Sequence, residues 1–558
     1  MASAASAAPN ILIIVADDLG FSDLGCYGSE IRTPHLDSLA AAPTGVRLTD
    51  FHTASACSPT RSMLLTGVDH HLTGLGQMAE TIGRKAEFQG QPGYEGVLNG
   101  QVVTLPEILR DSHTSFIAGK WHLGLTEEAS PHARGFDKSW VLLPGAGNHY
   151  AWRPPQVDGQ DVVFPATYRE DRRLLAQDEL PTPFYSSAVF TDRWLDFHAE
   201  ARAESPHKPW LGLLTFTAPH WPLQAPREVC ERYRGVYADG PDALRQRRLA
   251  GLVKAGLVTE DAASAAAPAR ERYCGRDTSW AAMSAQEQAE SQRAMEVYAA
   301  MVELMDANIG RVLQRLRETG ELDNTFILFM SDNGAEGALL EALPLCKRIQ
   351  ATHNNALDNI GREDSFVWYG PMWAQSSTAP SSMYKAWITE GGIRCPAIVH
   401  LPPRLHDGAS MYREHRSDAF TTVMDVLPTT LDLAGVRHPA PLWHGRAIHA
   451  PRGRTWLPWL RGTAAQPHDD AGDFHGWELF GQQAVRQGTF KALFIPPPEG
   501  PGRWQLFDLA HDPAEAHDLA PEQPQRLASL LQAWAAYELE VGVVTIDAER
   551  WQVGYGAH

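Results

Sequence analysis

ILIIVADDLG, residues 11–20, and TFILFMSDNG, residues 325–334, each carry a continuous apolar run into a carboxylate-bearing end closed by glycine. Runs of this length, rich in β-branched and aromatic residues, read as strands buried on both faces. The same texture recurs in TSFIAGKWH from Thr114, WLGLLTFTAPHW from Trp210 and CPAIVHLP from Cys395. Between them lie helical patterns. In Gln288 to Thr319, Met295, Tyr298, Met301, Met305, Ile309, Val312 and Leu316 recur at three- and four-residue spacing, and Gly320 follows as a stop. That methionine stripe reads as core. Thr104 to Arg110 and Thr422 to Ala434 are shorter helix candidates. Strands alternating with helices imply an α/β fold whose sheet is at least partly parallel.

The texture changes near residue 440. Pro, Gly and Trp become dense and the buried runs stop. A division follows, with residues 1–440 as a large α/β domain and 441–558 as a smaller α+β unit closed by a helix from Pro521 to Leu539. No internal repeat is visible.

Composition bounds the function. The chain has 558 residues, 44% apolar and 21% charged, which suits a globular enzyme with a large core. The net charge of -19 argues against a duplex nucleic-acid binder, which needs a basic stripe. It also requires any anion site to be a local cluster of positive groups. The six cysteines, Cys26, Cys57, Cys230, Cys274, Cys346 and Cys395, are scattered without a C-x-x-C pair and are expected as thiols. MASAASAAPN has neither the basic nor the apolar region of a signal peptide, and no apolar run is long enough to span a bilayer. A cytoplasmic location is the expectation.

In α/β sheets ligands gather at the carboxyl ends of strands. Asp17 and Asp18 end one run; Asp332 and Asn333 end another. Alone, each pair reads as a turn or cap. Together they offer three carboxylates and an amide oxygen, a hard set suited to Ca²⁺ or Mg²⁺. Lys120 and His122 close a third run, and alternation in extended chain would aim both to one side. His220 closes a fourth. In HTASACSPTRSMLLTG, residues 52–67, Ser58 to Thr66 reads as a helix with Pro59 in its first turn, so Cys57 lies at its positive end. Arg61 follows four residues on, on the same face.

Cys57-Ser58-Pro59-Thr60-Arg61, followed by Ser62-Met63-Leu64-Leu65-Thr66-Gly67, resembles the signature of the type I, formylglycine-dependent sulfatases. Gly119-Lys120-Trp121-His122-Leu123-Gly124 resembles that family's second signature. The likeness extends through Asp17-Asp18, Pro219-His220, Ser331-Asp332-Asn333-Gly334 and Tyr384-Lys385, and is closest to bacterial arylsulfatases of the pseudomonad type, including PFYSS at Pro183 to Ser187 and APHWPLQAPRE at Ala218 to Glu228. It implies an alkaline-phosphatase-like large mixed sheet flanked by helices, with a C-terminal α+β domain containing an antiparallel sheet.

The resemblance further implies that Cys57 is oxidised to formylglycine by a maturation enzyme. Its hydrated aldehyde attacks the sulfur of a small-molecule sulfate ester with one hydroxyl; deprotonation of the other releases sulfate. One Ca²⁺ would be held by Asp17, Asp18, Asp332, Asn333 and residue 57. Asp332 would accept a proton, and Arg61, Lys120 and Lys385 would offset negative charge. His122 would serve as the base for elimination and His220 would stabilise or protonate the leaving oxygen. A monomer is the corresponding expectation. The competing readings are a phosphonate monoester or phosphodiester hydrolase of the same superfamily and a metal-bound binding protein without catalysis. Three further segments, His70-His71, Asn148-His149-Tyr150 and Val367-Trp368-Tyr369, are expected on loops around an aryl-accepting mouth.

Overall fold

The computed structural model describes residues 8–546 except 158, 160, 163, 164, 267, 274, 275, 343–345 and 407–413. Cys274 and the first seven residues lie outside that set. The other five cysteines are free thiols.

The fold is built on an eleven-stranded mixed sheet. In chain order its strands are β1 (Asn10–Asp17), β2 (Gly45–His52), β3 (Thr114–Lys120), β4 (Lys138–Leu142), β5 (Tyr168–Glu170) and β6 (Arg173–Leu174). They continue with β7 (Trp210–Pro219), β8 (Thr325–Ser331), β9 (Arg394–His400), β10 (Arg416–Ser417) and β11 (Thr421–Thr422). Across the sheet the order is β10-β2-β9-β8-β1-β7-β3-β4-β5-β6, with β11 also on β2. The segment β8-β1-β7-β3-β4 is wholly parallel. The run at Cys395 forms β9, which is antiparallel to both β8 and β2.

The uninterrupted apolar strands are explained by burial on two sides. In β1, Leu12, Ile14 and Ala16 enter one core, whereas Ile11, Ile13 and Val15 enter another. The first core contains α2 (Ser186–Glu204) and α3 (Ala285–Glu318), including the methionine stripe. The second contains Met63, Leu64 and Leu65 of α1 (Cys57–Thr66) and Leu427 and Leu431 of the helix Val426–Ala434. α3 starts three residues before the periodic stretch because Ser284 and Glu287 form a reciprocal capping box.

A second, antiparallel sheet runs β12 (His475–Leu479), β13 (Gln482–Gln487), β14 (Phe490–Phe494) and β15 (Trp504–Asp508). One face, with Trp477, Ala484, Leu493 and Phe507, joins the first core. The other, with Val485, Ala492 and Leu506, packs on Leu530, Trp534 and Tyr537 of α4 (Pro524–Val541).

Strand register assembles the site. Ala16 pairs with Ser331, so Asp17 and Asp332 leave adjacent strands side by side. Asp17 pairs with Pro219 after a register shift, bringing His220 to the same edge. Gly119 pairs with Thr215, which sets Lys120 one strand further on.

Candidate active site

α1 opens at Cys57 itself, with extended Ala56 as the capping residue, and all ten of its residues are buried. Cys57 therefore occupies the first helical turn, where free N–H groups and the helix dipole favour negative charge. Burial opposes ionisation of its thiol, but Lys120, His122 and Lys385 outweigh it and hold the pKa below the ordinary value. Potential ligand atoms of Asp17, Cys57 and Asp332 lie within 4.8 Å of one another, as do those of Asp17, Asp18 and His220.

The three carboxylates are matched by three cations. Lys120 Nζ donates to Asp17 Oδ2 at 2.6 Å, and Lys385 Nζ lies 2.8 Å from Asp18 Oδ1. Arg61 gives Nε and Nη2 to the same Asp332 oxygen, at 3.0 and 2.7 Å, and Nη1 to the Lys120 carbonyl. The expected local positive cluster is thus a set of neutralised pairs, and the Arg61 fork serves Asp332. Burial raises the Asp332 pKa, reinforced by Asp17 and opposed by Arg61. Asp18, in a left-handed turn at φ 67°, is pushed up to about 6, chiefly by burial.

His122 is two residues beyond the end of β3 and has φ 58°. Its side chain reaches the site through this turn, and strand alternation is not the reason. Nδ1 lies 3.2 Å from Cys57 Sγ, and Nε2 lies 3.0 Å from Glu80 Oε1. Burial disfavours the imidazolium, yet Cys57 and Glu80 raise its pKa to about 9. Gly145 lies against the ring; a Cβ there would be 2.5 Å from His122 Cε1.

His220 Nδ1 is 2.7 Å from the Trp221 carbonyl, so this nitrogen carries the hydrogen. Nε2 faces Asp18 Oδ2 at 3.3 Å. Burial, together with Lys385 and Lys120, keeps its pKa well below the ordinary value.

All ten sequence-predicted residues are buried, and the contacts above join them around one strand edge. Glu80 and Glu336 are additional. Glu336 lies 3.3 Å from Lys385 Nζ and accepts from Trp221 Nε1 at 3.4 Å. It sits two residues past the SDNG motif, so extending that motif would have found it. Glu80 has no local signal, because its partner is 42 residues away.

The expected mouth loops divide. His70 and His71 are buried, with His71 between Asp69 and Glu478 at 2.9 and 3.0 Å, and do not form a mouth. His149 is also buried and donates from Nε2 to the His220 carbonyl at 3.0 Å. Tyr369 stacks in the core on Tyr298. Trp368 is partly exposed and stacks on Trp221, with ring centroids 4.7 Å apart.

Two atoms test whether a hard cation fits. Asp17 Oδ1 and Asn333 Oδ1 are buried without a hydrogen-bond partner. Both belong to the expected oxygen set, and burying such atoms is costly unless they are paired or ligate a metal. The donor set fits Ca²⁺ or Mg²⁺.

The fold is the mixed α/β architecture of the alkaline-phosphatase-like class, with its site at one strand edge. The sulfatase family model matches residues 9–436, and the chain belongs to that family; it is a sulfuric ester hydrolase. It is 48% identical over 548 residues to an uncharacterized sulfatase of Schizosaccharomyces pombe, across 97% of this chain and 95% of the relative. It is 35% identical over 437 residues to the arylsulfatase of Klebsiella aerogenes, across 77% and 87%. The crystal structure of Ps i-CgsB matches 98% of this chain and 95% of its own, with a TM-score of 0.63 at 22% identity.

Proposed function

We propose that the chain is an arylsulfatase that cleaves sulfate monoesters with a nucleophile derived from Cys57. The carrying observation is Cys57 in the first turn of a buried helix, with Asp17 and Asp332 ligand atoms within 4.8 Å and His122 Nδ1 at 3.2 Å. Formylglycine at this position would supply a hydrated aldehyde, with one hydroxyl to attack sulfur and a second whose deprotonation would release sulfate. Ca²⁺ would be held by Asp17, Asp18, Asp332, Asn333 and residue 57, and would supply Lewis acidity and the positive charge that the paired residues lack.

The chain's own residues divide the remaining work. Arg61 fixes Asp332 through a two-point contact. The raised pKa of Asp332 suits it to accept the attacking hydroxyl's proton. Lys120 and Lys385 pin Asp17 and Asp18 and face the sulfate with positive charge. His122 takes the proton whose removal ends the cycle. Among the groups raising its pKa, Cys57 leads, and that charge is lost on conversion to the aldehyde. His220 acts at the leaving oxygen. The Trp221–Trp368 stack beside His220 supports an aryl leaving group.

Cys57 is 1% exposed, so a maturation enzyme must reach it before the chain closes. The test compares kcat/KM for an aryl sulfate and a matched aryl phosphate diester on matured enzyme. The expected result favours the sulfate. A clear preference for the diester would overturn the assignment in favour of a phosphodiester or phosphonate monoester hydrolase.

A further inference from the structure

We propose that Gln482 and Lys491, on the C-terminal sheet, are positioning residues for Lys385. The proposal rests on the sulfatase reading of the site. It extends that site beyond residue 436, where the family match ends.

Lys385 sits on an irregular segment between two non-glycine residues in left-handed conformation, Met383 at φ 60° and Ala386 at φ 70°. Such backbone persists only where surrounding contacts over-determine it. One set of contacts comes from the active-site loops. Lys385 N–H donates to the Ala335 carbonyl at 3.0 Å, and Ala386 N–H donates to the Ser55 carbonyl at 2.8 Å.

The opposing set comes from the second sheet. Gln482, fully buried at the start of β13, uses both ends of its amide. Nε2 donates to the Ala386 carbonyl at 2.8 Å, and Oε1 accepts from Ile388 N–H at 3.0 Å. This two-point clamp satisfies the buried Ala386 carbonyl and Ile388 N–H much as a neighbouring strand would. Lys491, fully buried on β14, donates to the Ile388 carbonyl at 2.8 Å. It also pairs with Glu390 and Glu515, each at 2.8 Å, and Glu390 N–H donates to Glu515 Oε2 at 2.7 Å.

Lys385 is therefore held between the segments at Ser55 and Ala335 and the C-terminal sheet, with its Nζ delivered to Asp18 and Glu336. A generic interdomain contact would not need two buried side chains converging on the three residues that follow this lysine. The C-terminal sheet is thus part of the catalytic apparatus.

The test is a double-mutant cycle on the matured enzyme, pairing Gln482→Leu with Lys385→Met, together with a crystal structure of Gln482→Leu. Acting through Lys385, Gln482→Leu lowers kcat/KM about tenfold when Lys385 is present and less than about twofold when it is Met. In the crystal structure Lys385 Nζ leaves hydrogen-bond distance of Asp18. Equal losses in both backgrounds, no loss in either, or an unmoved Lys385 would overturn the proposal. If Gln482→Leu does not fold, Gln482→Glu is read the same way, because it keeps the acceptor for Ile388 and loses the donor to Ala386. Lys491→Arg, which keeps the charge, recovers more activity than Lys491→Met. A wild-type enzyme without sulfatase activity contradicts the proposed function, whereas the position of Lys385 still reads the clamp.

Discussion

At the scale of single residues, the site is governed by pairing. Lys120 and Asp17 are both fully buried, and so is Asp332, which Arg61 grips with two nitrogens. Removing one member of such a pair leaves an uncompensated buried charge, which costs more than the pair contributes. Lysine cannot reproduce the guanidinium fork. Arg61→Lys is therefore expected to weaken Ca²⁺ binding by about 10–100-fold, as losses behind a ligand commonly do. Calorimetric titration of the unmatured chain, still carrying the Cys57 thiol, measures this without turnover. Unchanged affinity would remove Asp332 from the ligand set.

At the scale of elements, function is carried by the ends of strands and the loops that close on them. Gly119, one residue before the end of β3, has φ 127°, and a Cβ there would lie 1.8 Å from the Thr215 carbonyl oxygen of β7. Gly119→Ala should destabilise the protein by more than ~3 kcal/mol, since neither backbone can yield; urea unfolding or loss of soluble protein reports it. Gly145→Ala is different. The three atoms nearest its Cβ all belong to the His122 imidazole, so the expected outcome is a folded protein with sharply reduced kcat. Circular dichroism and steady-state rates separate the two cases, and a fully active Gly145→Ala enzyme would show that the His122 ring is free to move. The strands were legible because burial on both faces makes them continuous apolar runs, and their polar ends were legible because glycine or proline follows. The Ser284-x-x-Glu287 cap carries a local sequence signature that periodicity alone passes over; the turn that aims His122 and the Glu80 contact carry none. They depend on side-chain pairing or on partners far along the chain, which periodicity does not report. His70 and His71 misled for the same reason. A histidine pair reads as polar until Asp69 and Glu478 are seen to enclose one of them.

At the scale of the whole molecule, two cores and a second sheet converge behind one catalytic edge. The Asp69–His71–Glu478 contact ties the helix after α1 to β12. Burial disfavours charged His71, but hydrogen bonds to Asp69 and Glu478 raise its pKa to about 9. A histidine with a raised folded pKa stabilises fully below its unfolded value near 6.5 and loses that contribution as pH rises through the folded value. Unfolding free energy should therefore decline between about pH 6.5 and 9. His71→Asn should lack that part of the slope, and denaturant unfolding at the two ends of the window measures both; parallel slopes would place the coupling elsewhere. Residue 57 remains the centre of the account. Its most direct test is the rate of inorganic sulfate release from an aryl sulfate, measured against the fraction of chains in which peptide mass shows formylglycine at that position. The account predicts a rate proportional to that fraction and no release by Cys57→Ala; release by Cys57→Ala at the wild-type rate would contradict it.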